Sequence, residues 1–114
     1  MKHFTRQEFN CKCNCGFNTV DFELAEVLEE LREHFNKPVA ITSGCRCESY
    51  NRKIGGSKNS QHKYGKAADI VVTGIKPSTV YKYLNSKYPD RYGIGKYSNW
   101  IHVDTRQSKA RWIR

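Results

Sequence analysis

The sequence has 114 residues, of which 38% are hydrophobic and 27% are charged, and its net charge is +9 at neutral pH. This length and composition predict one compact domain with a small core and exclude a disordered chain. No apolar run reaches the roughly 18–20 residues that a membrane helix needs, and the N-terminus lacks the apolar stretch of a Sec signal peptide. We therefore expect a domain that is synthesised in the cytoplasm and is not inserted in a membrane.

The charge is distributed unevenly along the chain. Residues 1–36 contain four basic and seven acidic residues, whereas residues 37–114 contain sixteen basic and four acidic ones. A surface this basic attracts polyanions and acidic substrates. The charge alone does not choose among three kinds of partner: nucleic acid, anionic lipid and the acidic bacterial cell wall.

The first predicted element is a helix from Asp21 to Phe35. Its apolar residues recur with helical spacing and form one stripe: Leu24, Val27, Leu28, Leu31 and Phe35. Asp21 is expected to cap the N-terminus, and Asn36-Lys37-Pro38 is expected to end the helix. Six of the eleven acidic residues lie on this helix, where we expect them to be solvated surface charges.

Shorter elements follow in the second part of the chain. Strands are predicted at residues 39–42, 67–72, 100–104 and 110–113, with a short helix or turn at 48–53 and a second long helix that begins at Pro77. Helices that lead and strands that cluster later predict an α+β fold. With no repeat and no linker, residues 1–114 are expected to form a single domain.

Five cysteines form two groups: Cys11, Cys13 and Cys15 near the N-terminus, and Cys45 and Cys47 on either side of Arg46. Their C-x-C spacing differs from the C-x2–4-C spacing of zinc ribbons, which argues against a structural zinc site. The number of cysteines is odd and no export signal is present, so we expect reduced thiols in the producing cell. The sequence also allows one or two disulfide bridges to form between the two groups after release into an oxidising environment.

The segment from Ser60 to Asp69 carries the strongest chemical signal. His62 lies seven residues before Asp69, and His102 lies in a later strand, two residues before Asp104. Because side chains alternate across a strand, His102 and Asp104 share one face. Two histidines and a carboxylate, with water as fourth ligand, are typical of catalytic zinc sites. On spacing alone, the alternative is that the histidines are ordinary polar residues and that Asp69 caps a turn.

These residues also match a family signature. The sequence resembles the zinc D-Ala-D-Ala carboxypeptidases of peptidase family M15, in particular their small single-domain branch from bacteria and phages, through the motifs Ser60-x-His62-x-x-Gly65-x-Ala67-x-Asp69 and His102-x-Asp104. Segments 9–16, 41–51 and 92–97 agree with the family as well. The resemblance implies that His62, Asp69 and His102 bind Zn²⁺, on a mainly antiparallel sheet against which the N-terminal helix packs, as in hedgehog-like domains.

The resemblance implies roles for two further residues. Arg46 matches an arginine that polarises the scissile carbonyl and steadies the oxyanion, which suits a guanidinium because it is always charged and presents fixed donors. Ser60 matches a serine that lines the substrate site. The alternatives are a surface ion pair for Arg46 and a turn position for Ser60.

One position departs from the family pattern. The better-studied members carry Glu or Asp as general base three residues before the last histidine, where this sequence has Asn99. An amide cannot take a proton from water, so another group is needed. We predict Asp104 as the base, with Glu48 as second choice; the alternative for Asp104 is a carboxylate that orients a metal ligand.

The resemblance therefore implies a zinc metallopeptidase that hydrolyses peptidoglycan stem peptides, either as a D-Ala-D-Ala carboxypeptidase or as a cross-link endopeptidase. We expect a monomer that acts at the bacterial cell wall or periplasm, in phage lysis or in wall remodelling. Asn99 leaves open a non-catalytic zinc-containing module that binds the wall or a partner, as hedgehog domains do. Nucleic-acid binding is not expected, because no nucleic-acid motif accompanies the basic and aromatic residues.

Overall fold

The computed structural model describes residues 1–114. The helices are α1 (Phe22–Phe35), α2 (Glu48–Lys53) and α3 (Pro77–Lys87), and the strands are β1 (Val39–Ser43), β2 (Ala67–Val72), β3 (Gly93–Lys96), β4 (Ile101–Asp104) and β5 (Ala110–Ile113). Short 3₁₀ turns lie at Arg6–Phe9 and Gln61–Tyr64. The predicted α+β fold class is confirmed. None of the helices combines the length and the apolar character that crossing a membrane requires.

The five strands form one sheet in the order β1-β2-β4-β3-β5. The first four are antiparallel to their neighbours, and β5 runs parallel to β3 at the edge. Strand β4 is central, and its register with β2 places His102 directly opposite Asp69. The predicted N-terminal helix on a mainly antiparallel sheet is therefore present.

One face of the sheet is covered by α1 and α3. The core contains the apolar residues of both helices and the inward residues of the strands: Leu24, Val27, Leu28, Leu31, Val80, Leu84, Ala68, Ile70, Val72, Ile94, Ile101 and Val103. Because strand residues alternate between faces, Ile101 and Val103 face this core while His102 and Asp104 lie on the opposite face. The sheet thus separates the packed core from the polar residues of β4.

Two details of the predicted elements are wrong. Asp21 precedes α1 but makes no capping bond with its side chain; its Oδ2 instead accepts a hydrogen bond of 3.1 Å from Thr105 Oγ1, which ties the helix start to the end of β4. Strand β3 was not predicted, because two of its four residues are glycines. At Gly95 the absence of a side chain is required, since a Cβ would lie 2.2 Å from the indole Nε1 of Trp112.

Candidate metal centre

His62 is held by the 3₁₀ turn that follows Ser60. Ser60 Oγ accepts a hydrogen bond of 3.2 Å from the His62 backbone N–H, so it caps the turn. The ring Nδ1 lies 2.6 Å from the carbonyl oxygen of Gly44. A carbonyl can only accept, so Nδ1 carries the proton and Nε2 keeps its lone pair. That Nε2 lies 3.5 Å from Asp69 Oδ1, and His62 is 3% exposed.

Asp69 and His102 complete a three-residue cluster. His102 Nδ1 lies 3.1 Å from Asp69 Oδ1, across the paired strands β2 and β4. The rings of His62 and His102 meet edge to face, with centroids 5.2 Å apart. One donor atom from each of the three residues lies within 4.8 Å of the others. The structure therefore brings together two imidazole nitrogens and one carboxylate oxygen, a donor set that suits zinc.

A hydrogen bond to Asp104 fixes the orientation of the His102 ring. The ring Nε2 lies 2.7 Å from Asp104 Oδ2, so Nε2 donates its proton to the carboxylate and Nδ1 is left for a metal. Asp104 is fully buried and also accepts hydrogen bonds from the Gly93 backbone N–H and from Nε and Nη2 of Arg106. Sequence analysis missed Arg106, although its position two residues after Asp104 places it at the strand end beside that carboxylate.

The electrostatics of the cluster favour ionised carboxylates. Burial raises the pKa of Asp69, but the hydrogen bonds and charges of His102 and His62 outweigh it and hold that pKa below its usual range. Burial likewise raises the pKa of Asp104, and His102 and Arg106 lower it further than burial raises it. For His102, burial lowers the pKa and the two carboxylates raise it, with a net rise. A metal ligand must be deprotonated, and Asp69 meets that requirement at neutral pH.

The geometry does not support Asp104 as the general base. Both of its oxygens are engaged by His102, Arg106 and Gly93, and the side chain does not line the cleft in front of the metal cluster. Glu48, the second choice, lies in the first turn of α2 and lines a different surface pocket. Asn99 is exposed and does not line the cleft either.

Arg46 lies in the cleft beside the cluster. Its Nη2 is 3.7 Å from Asp69 Oδ2, while Nε donates to Ser43 Oγ at 3.3 Å and Nη1 donates to Asn51 Oδ1 at 3.2 Å. The arginine is thus fixed at both ends of its guanidinium rather than free on the surface. A Cβ on Gly56 would lie 2.1 Å from Asn51 Oδ1, so a glycine is needed to leave room for this arrangement.

The cleft in front of the cluster has a volume of about 560 Å³. Ser60 is among the residues that line it. Three aromatic residues line it as well: Tyr97 and Trp100 stack with ring centroids 4.6 Å apart, and Trp112 Nε1 donates to the Tyr97 hydroxyl at 3.0 Å. Asp69 is the only acidic residue in the lining, whereas Arg46 and Arg106 both line it. Sequence analysis did not assign these aromatic residues to the site: Tyr97 and Trp100 lie in the loop between β3 and β4, and Trp112 lies on the edge strand β5.

Comparison with known proteins identifies the family of this chain. The family model described as Peptidase M15 matches residues 2–104. The peptidoglycan L,D-endopeptidase MepK of Escherichia coli strain K12 is 34% identical over 74 residues, which cover 60% of this chain and 41% of that protein. The zinc D-Ala-D-Ala carboxypeptidase of Streptomyces albus G is 43% identical over 35 residues, which cover 31% of this chain and 14% of that protein.

The chain thus spans less than half the length of the curated relatives that it matches. The family model, in contrast, covers most of the chain and includes all three residues of the metal cluster. The family resemblance predicted from the motifs is confirmed: the chain belongs to the peptidase M15 family.

Proposed function

We propose that this protein is a zinc metallopeptidase that hydrolyses peptide bonds of peptidoglycan stems at the bacterial cell wall. The observation that carries the proposal is the convergence of His62, Asp69 and His102 at the base of an open cleft, with Arg46 beside them. Its relatives support the substrate class, since one is named as a peptidoglycan endopeptidase and another as a D-Ala-D-Ala carboxypeptidase.

The three residues fit a catalytic rather than a closed zinc site. They supply His62 Nε2, Asp69 Oδ1 and His102 Nδ1, and the cleft leaves the remaining side open to water and substrate. When bound, zinc lowers the pKa of a water toward about 7 and polarises a carbonyl group. The protein itself holds the two histidines in the required tautomers, through Gly44 and Asp104.

Arg46 has the position and charge to stabilise the oxyanion. Its guanidinium is anchored by Ser43 and Asn51, so it is already organised before the substrate arrives. Fixed donors aimed at the developing negative charge stabilise the transition state more than the ground state. The contact with Asp69 keeps Arg46 next to the metal ligands, where the scissile carbonyl would bind.

The remaining lining suits an acidic peptide. Stem peptides carry free carboxylates, and the positively charged side chains of Arg46 and Arg106 both line the cleft. The rings of Tyr97, Trp100 and Trp112 offer an apolar surface for the peptide backbone and alanine methyl groups. The basic residues 37–114 would in addition attract the protein to the anionic wall.

The test is hydrolysis of purified muropeptides, followed by mass spectrometry. We expect products from the zinc-loaded protein, none after chelation, and recovery when zinc is added back. His62→Ala should be inactive, while His34→Ala, a histidine on α1 that stacks on Tyr83, should be as active as wild type. Loss of a terminal alanine indicates a carboxypeptidase and a cut between stems indicates an endopeptidase. Absence of any product from protein that holds zinc contradicts the proposal.

One observation favours a second candidate function, a non-catalytic module that binds the cell wall. Asp69, a metal ligand, is the only acidic residue that lines the cleft, so no separate carboxylate is available there to accept a proton. This candidate predicts that the zinc-loaded protein co-sediments with purified sacculi but releases nothing from them. Turnover that disappears in Arg46→Met, while sacculus binding persists, would exclude it.

A further inference from the structure

Four of the five cysteines form a cluster that is separate from the cluster of His62, Asp69 and His102. The Sγ atoms of Cys11, Cys13, Cys15 and Cys47 all lie within 4.8 Å of one another. Cys11 and Cys13 are 3.4 Å apart at sulfur, and Cys13 and Cys47 are 3.6 Å apart. All five cysteines are free thiols in this structure, and Cys45 does not belong to the cluster.

A tight turn explains how the C-x-C-x-C segment directs three sulfurs to one side. Asn14 and Gly16 adopt positive φ angles of 67° and 89°, which are left-handed conformations that these two residue types tolerate best. The turn is closed by hydrogen bonds from Asn14 N to Cys11 O at 3.2 Å and from Cys11 N to Phe17 O at 2.8 Å. The fourth sulfur comes from Cys47 at the N-terminus of α2.

We propose that these four thiolates bind a second zinc ion in a closed, structural site. A Zn–S distance of about 2.3 Å in a tetrahedral site places the sulfurs about 3.8 Å apart, close to the separations of Cys13 from Cys11 and Cys47. Four protein ligands are typical of structural sites, in contrast to the three at the histidine cluster. The proposal does not depend on the proposed peptidase activity.

Backbone amides already surround the sulfurs as they do in zinc thiolate sites. The Cys47 N–H donates to Cys11 Sγ at 3.4 Å, and the Tyr50 N–H donates to Cys47 Sγ at 3.4 Å. Such bonds stabilise negative charge on sulfur and fix the direction of the ligand. Cys13 and Cys15 are exposed, so an ion can reach the cluster from solvent, while Cys11 is buried and anchors it to the core.

The site would connect the N-terminal segment to the arginine of the cleft. Cys47 directly follows Arg46, whose backbone N–H donates to the His62 carbonyl at 2.9 Å. An ion held by Cys11, Cys13, Cys15 and Cys47 therefore fixes the backbone on which Arg46 is mounted. A metal ion that binds only the folded chain also adds its binding free energy to the stability of the fold.

The proposal is tested by counting zinc per chain in protein purified under reducing conditions. We expect two zinc ions in the wild type, one in Cys13→Ser and one in His62→Ala. Cys45→Ser is the matched control and should retain both, because Cys45 lies outside the cluster and its thiol only donates to the carbonyls of Phe9 and Phe17. The proposal would be overturned if the wild type holds one zinc ion, Cys13→Ser retains that ion and His62→Ala lacks it.

A measurement on the wild type alone decides the matter if Cys13→Ser does not fold. Titration with an organomercurial reagent, which captures thiolates, should release one zinc per four cysteines modified, and cobalt substitution should give thiolate charge-transfer absorption. The proposal would be contradicted if the reduced protein, once returned to air, loses mass through disulfide formation and holds no zinc bound to its thiols. Neither readout requires hydrolysis, so an inactive protein with two zinc ions would refute the peptidase proposal alone.

Discussion

Asp69 of β2 and His102 of β4 face each other across neighbouring antiparallel strands, with Oδ1 and Nδ1 3.1 Å apart. The strand register alone therefore brings together two candidate metal ligands that are 33 residues apart in sequence. His62 comes from a short turn and is held by the Gly44 carbonyl at 2.6 Å. Ligands mounted on a sheet keep their separation without the metal, so the site is preorganised for binding.

Asp104 is expected to act through His102, and Asp104→Asn tests this role. Loss of the charge that holds His102 Nε2 should weaken zinc affinity by about 10–100-fold, while turnover recovers when zinc is saturating. Competition with a chelator gives the zinc affinity, and kcat is measured across zinc concentrations. Asn99→Ala is the control, because Asn99 is exposed and outside the cleft. An unchanged zinc affinity with kcat lost at all zinc concentrations would instead identify Asp104 as the base.

The convergence of His62, Asp69 and His102 could be predicted from sequence because each residue lies in a short motif with local structural meaning. Helix α1, β2 and β4 were predicted nearly to the residue, since their apolar periodicity follows from the core that they share. The partners of Asp104 could not be predicted in this way. Its burial under Arg106 and Gly93 depends on the pairing of β3 with β4, and β3 has no apolar pattern that would identify it as a strand.

Arg46→Lys is expected to lower kcat by about 10²–10³-fold, with zinc content unchanged. Lysine keeps the charge but cannot bond Ser43 and Asn51 while also reaching the oxyanion, since it lacks the planar guanidinium. Muropeptide turnover and zinc content are measured on the same preparation. Arg52→Lys is the control, because Arg52 is exposed on α2. Equal turnover of Arg46→Lys and wild type would contradict a catalytic role for Arg46.

The convergence of four cysteines could not be predicted from their spacing in the sequence. The C-x-C spacing differs from the C-x2–4-C spacing of zinc ribbons, which argues against a structural zinc site at the cysteines. In a strand, Cys11, Cys13 and Cys15 would share one face but would be spread along it, with alternate residues roughly 7 Å apart. Positive φ angles at Asn14 and Gly16 turn the segment back on itself, so that the three sulfurs converge. The fourth cysteine is 34 residues from Cys13, and only the tertiary fold brings it close.

Gly93→Ala is expected to weaken both folding and zinc binding. A Cβ at this position would lie 2.4 Å from Asp104 Oδ2 and 2.6 Å from Oδ1, so the carboxylate must move away from His102. We expect a loss of about 1–3 kcal/mol in the free energy of unfolding, together with lower zinc affinity. Gly74→Ala is the control: a Cβ there meets nothing within 4 Å, so only its positive φ adds a cost. If Gly93→Ala binds zinc as tightly as the wild type, the position of Asp104 does not contribute to zinc affinity.

Tyr92 and Glu23 join the end of the α3–β3 loop to α1. The Tyr92 hydroxyl donates to Glu23 Oε2 at 2.7 Å, and this hydrogen bond is the main cause that lowers the pKa of Glu23. Burial, followed by the same hydrogen bond, raises the pKa of Tyr92 to about 12. The contact therefore favours the ionised carboxylate and the neutral phenol.

Tyr92→Phe should accordingly destabilise the protein most at neutral pH. The Glu23 contribution is present above its ordinary pKa of about 4.3 and is lost as the pH falls through the lower folded value. The Tyr92 contribution is present below its ordinary pKa of about 10 and is lost as the pH rises through the folded value of about 12. Melting temperatures of wild type and variant should thus converge at both extremes. Tyr81→Phe, which removes the hydroxyl of a tyrosine on α3, is the control, and a difference between wild type and Tyr92→Phe that stays constant with pH would contradict the linkage.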